Sequence, residues 1–324
     1  MPSLACFLRP LKVFARMGAM LMTLGSCFPA VLAHAQQSPS TAAPAPESAA
    51  YALQNPIPHD QLTFLSAYGG RPARDLLKDK AYDRLMKAVI PKTTYHYGRD
   101  MSLSNAVDDV MEGSKLPVLL RDGRYLMLNG EQGPYLKGRG FAWFDLEKGI
   151  ALGGFYFTPT NGEPTPTLTI YSKQLSVDAL AMSELPPAFV GDLYQWEENA
   201  RVPPVSPRYF IPVNGKKYVL VHDEDYCWHP ANTPAPDPML CEKANAAAAD
   251  ADMNAAYFMQ ETHNSANATA WMLGPEQVAW LELRDRSCLG PNGFGCRIRM
   301  ARERTKVLLG GPHFPRTNPP RASR

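Results

Sequence analysis

The sequence predicts an α+β N-terminal domain with an antiparallel sheet, followed by a small all-α, disulfide-linked C-terminal domain. Three observations carry this expectation. Two helical patterns precede a series of short β-prone runs separated by Gly, Pro, Asn and Asp, the order expected of an α+β fold. The stretch from Cys241 to about Glu261 is rich in Ala and free of Gly and Pro, which favours helix. Cys227, Cys241, Cys288 and Cys296 crowd into the last third of the chain.

The N-terminus reads as a secretory signal over residues 1–35. Arg9, Lys12 and Arg16 give a basic start, MGAMLMTLGSCFPAVLA is apolar, and Ala33-His34-Ala35 is a small-residue cleavage site. Leu24-Gly25-Ser26-Cys27 also resembles a lipobox, so the alternative is a lipid anchor on Cys27. The expected location is periplasmic or secreted, with membrane attachment only if Cys27 is lipidated. Residues 36–50, QQSPSTAAPAPESAA, have no apolar period and read as a flexible linker.

The α+β domain is placed at 51–225. Leu77, Ala81, Leu85 and Val89 recur every four residues, Tyr82 and Met86 widen the stripe, and Pro91 ends it. A second helix is expected after Ser104 as N-cap, with Val107, Val110 and Met111 inward. Strands are expected in KLPVLL, GRYLML, FAWFDL, ALGGFYFTP and TPTLTIYS, with a tight turn over Asp145–Gly149. RYFIPV and KYVLVH flank Asn214-Gly215, a hairpin signal.

The helical domain is placed at 226–309. After the Cys241 helix, Gly274-Pro275 marks a turn region. A second helix from about Glu276 to Ser287 puts Gln277, Trp280, Leu281, Arg284 and Cys288 on one stripe. A third, after LGPNGFG, aligns Ile298, Ala301, Thr305 and Leu308. Folded as an antiparallel hairpin with a returning helix, the four cysteines gather at one end; an even count in an exported chain reads as two disulfides, with all three pairings open. Arg284 needs an acceptor on the facing helix, and Asp250 and Asn254 are the candidates. Residues 310–324, GGPHFPRTNPPRASR, read as a disordered tail.

Charge limits the partners. Without the signal, 30 Lys and Arg face 31 Asp and Glu, which does not point to nucleic acid. Locally the balance is uneven: residues 221–296 hold eleven acids and three bases, and 297–324 hold eight bases and one acid. Searches for chemistry return little. Asp250, Asp252, Asn254 and Glu261 take positions of a calcium loop, but Ala255 stands where Gly is needed and the segment reads as helix. His222 and His229 near Cys227 lack the paired spacing of a zinc site. Asp223-Glu224-Asp225 reads as a solvated acidic turn, and Tyr95-His96-Tyr97 as core or surface. No catalytic, metal or cofactor residues are assigned.

Taken together, Cys227 and Cys241, Ala249-Asp250, Met253-Asn254, Tyr257, Gln277, Ala279-Trp280-Leu281, Arg284-Asp285, Cys288, Cys296 and Arg302-Glu303-Arg304 resemble the LprI-type lysozyme inhibitor domain of exported bacterial proteins. The resemblance implies an all-helical disulfide-linked domain associated with binding lysozyme. The chain departs from it in the Pro-rich insert HPANTPAPDPML between the first two cysteines. VMEGSKLPVLL, GRYLMLNG, EQGPYLKGRG and FAWFDLEKGIALGGFYF resemble the Ivy type of lysozyme inhibitor, where a cysteine-bounded His on a loop enters the lysozyme cleft. Here the loop from Asn129 to Gly140 has neither Cys nor His, and offers Glu131, Tyr135, Lys137 and Arg139 as partner-binding residues instead.

The expectation is therefore an exported binding protein rather than an enzyme, whose partner is lysozyme or another basic cell-wall hydrolase. The acidic helices, with Asp250, Asp252, Glu276 and Glu282, would steer a cationic partner. The alternative is a periplasmic protein–protein interaction module of unrelated role.

Overall fold

The computed structural model describes residues 52–114, 116–131, 138–264 and 270–310. The expected signal with Cys27, the linker and all but the first residue of the tail lie outside these. The chain forms α1 (Ala73–Leu77) and α2 (Lys80–Val89), a hairpin of β1 (Thr94–His96) and β2 (Asp100–Ser102), and α3 (Leu103–Met111). Strands β3 (Leu119–Arg121), β4 (Tyr125–Gly130), β5 (Arg139–Asp145), β6 (Ile150–Phe157) and β7 (Thr167–Tyr171) follow. Then come β8 (Leu180–Ala181), α4 (Pro187–Ala200), β9 (Arg208–Ile211) and β10 (Tyr218–Val221). The C-terminal region is helical, with α5 (Pro238–Asn264), α6 (Ala270–Ser287) and α7 (Gly293–Leu309).

Local chemistry moves two of the expected boundaries. The first stripe is divided between α1 and α2 because the Asp79 carboxylate accepts from the Ala81 amide at 2.7 Å and caps a new helix. Tyr82, Leu85, Met86 and Val89 still face the core. The N-cap of α3 is Ser102, not Ser104: its hydroxyl accepts from the Asn105 amide at 3.1 Å. Val107, Val110 and Met111 point inward as expected.

Eight strands form one sheet in the order β3-β4-β5-β6-β7-β9-β10-β8 among the described residues. From β3 to β7 it is an antiparallel meander, and β9 and β10 form the hairpin around Asn214-Gly215. The sheet as a whole is mixed: β7 pairs with β9, and β8 with β10, in parallel. The chain leaves β7, lays α4 across one face and returns to set β9 alongside, and such a crossover brings strands together in parallel.

Both faces are covered. Leu126, Leu128, Ala142, Phe144, Phe155, Phe157 and Tyr171 pack against α1, α2 and α3, while Tyr95 and Tyr97 join Phe155 and Phe157 as edge-on or tilted rings. The alternate residues, among them Phe141, Trp143, Leu152, Ile170 and Phe210, pack on Phe189, Leu193 and Trp196 of α4. A sheet buried on both sides reads as nearly continuous apolar runs, which FAWF and IALGGFYF are.

The C-terminal helices share this sheet. Tyr209 of β9 and Val219 of β10 lie in one buried cluster with Ala249, Met253, Ala255 and Ala256 of α5, Leu273 of α6, and Ala301 and Leu308 of α7. Tyr209 has the same parity as Ile211, so α5 covers the face that α1 to α3 cover, further along. Asp252 fastens the contact: it accepts from the His222 amide at 2.8 Å and meets the ring Nδ1 at 2.5 Å, with both residues buried. Gly274-Pro275 does not end a helix but lies inside α6. Glycine before the proline removes one of its steric conflicts, the one with the preceding Cβ.

Candidate functional site

In the helical region a polar network joins three helices. Arg284, 6% exposed, donates from Nη1 to Asp250 Oδ1 at 2.8 Å and through Nε and Nη2 to Asp285 at 3.0 and 2.9 Å. Arg297 of α7 reaches the other Asp250 oxygen at 2.9 Å. Arg304 donates to Gln277 Oε1 at 3.0 Å and Glu276 Oε1 at 2.6 Å. The Trp280 ring has both guanidiniums near it, Arg284 at 5.5 Å and Arg304 at 5.9 Å from its centroid. Gln277 contacts Met253 Sδ at 2.8 Å, and Tyr257 is partly buried against the same core. Of the two acceptors expected for Arg284, Asp250 serves and Asn254 is exposed.

These residues therefore hold the helices together. The same geometry corrects the expectation of a steering face. Asp250 is shared by two arginines, Asp252 is buried against His222, and Glu276 pairs with Arg304; of these four acids only Glu282 stands exposed and without an ion pair among the described residues. Carboxylates neutralised from within project little field.

The cysteines bond as neighbours in sequence, Cys227 to Cys241 and Cys288 to Cys296. The first closes the Pro-rich insert into a loop whose base is tied down. Asp225 accepts from Asn245 Nδ2 at 2.7 Å and from the Cys227 amide at 2.9 Å, and Asn245 Oδ1 accepts from the Tyr226 amide at 2.9 Å. Those hydrogen bonds hold the Asp225 carboxyl below its ordinary range. The second bond ties the end of α6 to the start of α7.

In the N-terminal region Glu131 and Arg139 flank the other candidate loop, their charged atoms 4.0 Å apart; Tyr135 and Lys137 lie outside the described residues. Both line a groove of about 720 Å³ between β3–β5 and α4, floored by Met127, Tyr125 and Trp196. Asn129 Oδ1 is buried there without a hydrogen-bond partner among the described residues. Sequence reasoning missed this groove because α4 forms one wall and its pattern went unread.

Asp223, Glu224 and Asp225 do not converge as a catalytic pair. Asp223 accepts from the Ser183 amide at 3.0 Å, Glu224 binds Arg208, and Asp225 binds Asn245. Arg208 is fully buried and also meets Glu197 at 3.4 Å. Burial pushes Glu197 up to about 7, outweighing the attraction of Arg208, while Glu224, closer to the guanidinium, stays below its ordinary range. The cluster ties α4 to β9 and to the turn after β10. His96 bonds Asp100 at 2.9 Å and Thr160 at 2.9 Å, at the rim of the aromatic core. Among the described residues no group of three or more His, Cys, Asp or Glu is placed to hold a metal ion, and no helix is long and apolar enough to cross a membrane.

Residues 230–308 match the model of a family described as Lysozyme inhibitor LprI. The match covers the three C-terminal helices and the network around Arg284; the resemblance of the N-terminal region to the Ivy type is not shown. No curated protein and no solved structure matches the chain.

Proposed function

We propose that this chain is an exported envelope protein that binds a lysozyme, or a related basic peptidoglycan-cleaving enzyme, and blocks it without being an enzyme itself. The family match over residues 230–308 carries the reading. It is supported by two disulfides, which suit an oxidising compartment, and by the basic, apolar N-terminal stretch that reads as a signal. The family-motif residues Asp250, Gln277, Trp280 and Arg284 build the helical frame, so the partner is met by side chains outside that network. In this reading the α+β domain, placed at 51–225, carries the helical domain, placed at 226–309.

The test is turnover of bacterial cell walls by chicken-type, goose-type and invertebrate-type lysozymes with the purified oxidised chain titrated in. Stoichiometric inhibition of one type is expected. Undiminished turnover by all three at excess protein would refute the reading.

A further inference from the structure

Trp228 is 74% exposed, Met239 69% and Leu240 65%. A single open apolar side chain is ordinary, as Leu289 at 78% is, but several brought together mark an interaction surface. Trp228, Met239 and Leu240 stand together. The Cys227–Cys241 bond sets the two Cα atoms 4.9 Å apart, and Trp228 and Leu240 are one residue from either cysteine, so their Cα atoms lie within about 12 Å.

The platform beneath them is fixed. The Trp228 amide donates to Asp225 O at 3.0 Å, and Asp237 Oδ1 accepts from the Met239 amide at 2.8 Å and the Leu240 amide at 3.3 Å, capping α5. Tyr226 anchors the near arm through its hydroxyl on Pro204 O at 2.8 Å. Between the arms, residues 230–240 are exposed at all positions but one, and include Pro230, Pro234, Pro236 and Pro238. Crosslink, cap and prolines remove freedom from the unbound loop, so little ordering cost remains for binding. An aromatic and a methionine on a rigid, water-facing base have the composition of an interface hot spot.

Charge indicates the occupant. From Asp223 to Glu242 there are five acids and no Lys or Arg. Glu224 is used by Arg208, and Asp225 by Asn245 with Arg302 acting on it from α7. Asp237 and Glu242 are exposed and in no ion pair among the described residues. They border the apolar patch, unlike Asp250, Asp252 and Glu276, whose charges are met internally. We propose that Trp228, Met239 and Leu240, rimmed by Asp237 and Glu242, form the docking surface for a cationic protein. Resting on the reading above, that protein is the lysozyme, and the insert that sets this chain apart from the family pattern supplies the contact.

The test measures affinity of the full oxidised chain for the lysozyme it inhibits best, at two salt concentrations. Trp228→Ala and Leu240→Ser should each weaken binding at least tenfold, and Asp237→Asn with Glu242→Gln should flatten the salt dependence, since Asn keeps the cap. Val278→Ser, a change at another exposed apolar position, on α6, should stay within twofold. Unchanged melting temperatures certify the folds. If the parent chain binds and Trp228→Ala binds within twofold of it, the surface is wrong and the inhibitor reading stands. If the parent chain binds no lysozyme, both fall. If Trp228→Ala instead disperses a dimer of this chain and leaves lysozyme binding intact, the patch joins two copies and the proposal is overturned.

Discussion

Replacing Glu197 with Gln should abolish a pH dependence of stability that the parent chain shows between about pH 5 and 8. Glu197 is buried, 3.4 Å from Arg208, and carries its proton up to about 7 in the folded state against 4.5 when free. Between those values the folded state holds a proton that the unfolded chain has released, so stability is full below 4.5 and falls as pH rises through 7. The displacement corresponds to a loss on the order of 3 kcal/mol, complete by about pH 8. Glu224, held below its ordinary range, acts in the opposite sense but only at lower pH, and in both proteins alike. Gln at 197 keeps the shape and the contact to Arg208 and cannot ionise. Urea unfolding at pH 5, 6, 7 and 8, followed by tryptophan fluorescence, should give a falling midpoint for the parent and a nearly level one for Glu197→Gln. The two curves should meet at pH 5 and part by pH 8. Parallel curves would show that Glu197 is ionised when folded and that the charge cluster is wrongly balanced.

Other outcomes follow from the same geometry. Arg284→Ala should cost about 2 kcal/mol in chemical unfolding, because Asp250 loses one of its two charge-assisted partners and keeps Arg297. Opening the Cys227–Cys241 bond with a double Ser variant should cost about 3 kcal/mol, as a loop of that length restricts the unfolded chain appreciably. Mapping of peptides from the unreduced protein should recover Cys227 with Cys241 and Cys288 with Cys296, never crosswise. Ser102→Ala should cost about 1 kcal/mol through loss of the α3 cap, and Ser104→Ala only a few tenths, compared by thermal melts.

Much of the frame is legible in the residues themselves. Continuous apolar runs bounded by turn residues located β4 to β7, and Asn214-Gly215 located the last hairpin, because both signals are local. Arg284 announced its need for an acceptor, and Asp250 supplied it. What escaped depends on long range or on competition between neighbouring signals. Parallel pairing of β7 with β9 is decided by the path of α4, whose Pro186-Pro187 start and mixed faces hide its helical period. The pattern points to Ser104 as the cap of α3, but the helix starts two residues earlier, where the Ser102 hydroxyl meets the Asn105 amide. Asp252 looked like a surface acid on an acidic helix; only the docking of α5 against β10 turns it towards His222. The exposed Trp228 could not be told from a core tryptophan, since hydrophobicity does not reveal which side of a disulfide faces water.

The burial of Tyr209 and Val219 beneath α5 reaches beyond packing. A fragment ending near residue 225 would leave that tyrosine and valine, and the His222 amide, facing solvent, while a fragment beginning there would be a helical hairpin without its floor. Melting of the sheet and of the helices is thus expected as one cooperative event. Anything that grips the helical end alone then stabilises strands it never touches, by mass action on a shared unfolding equilibrium. A shift in strand melting, read far from the contact, becomes a gauge of occupancy at the loop.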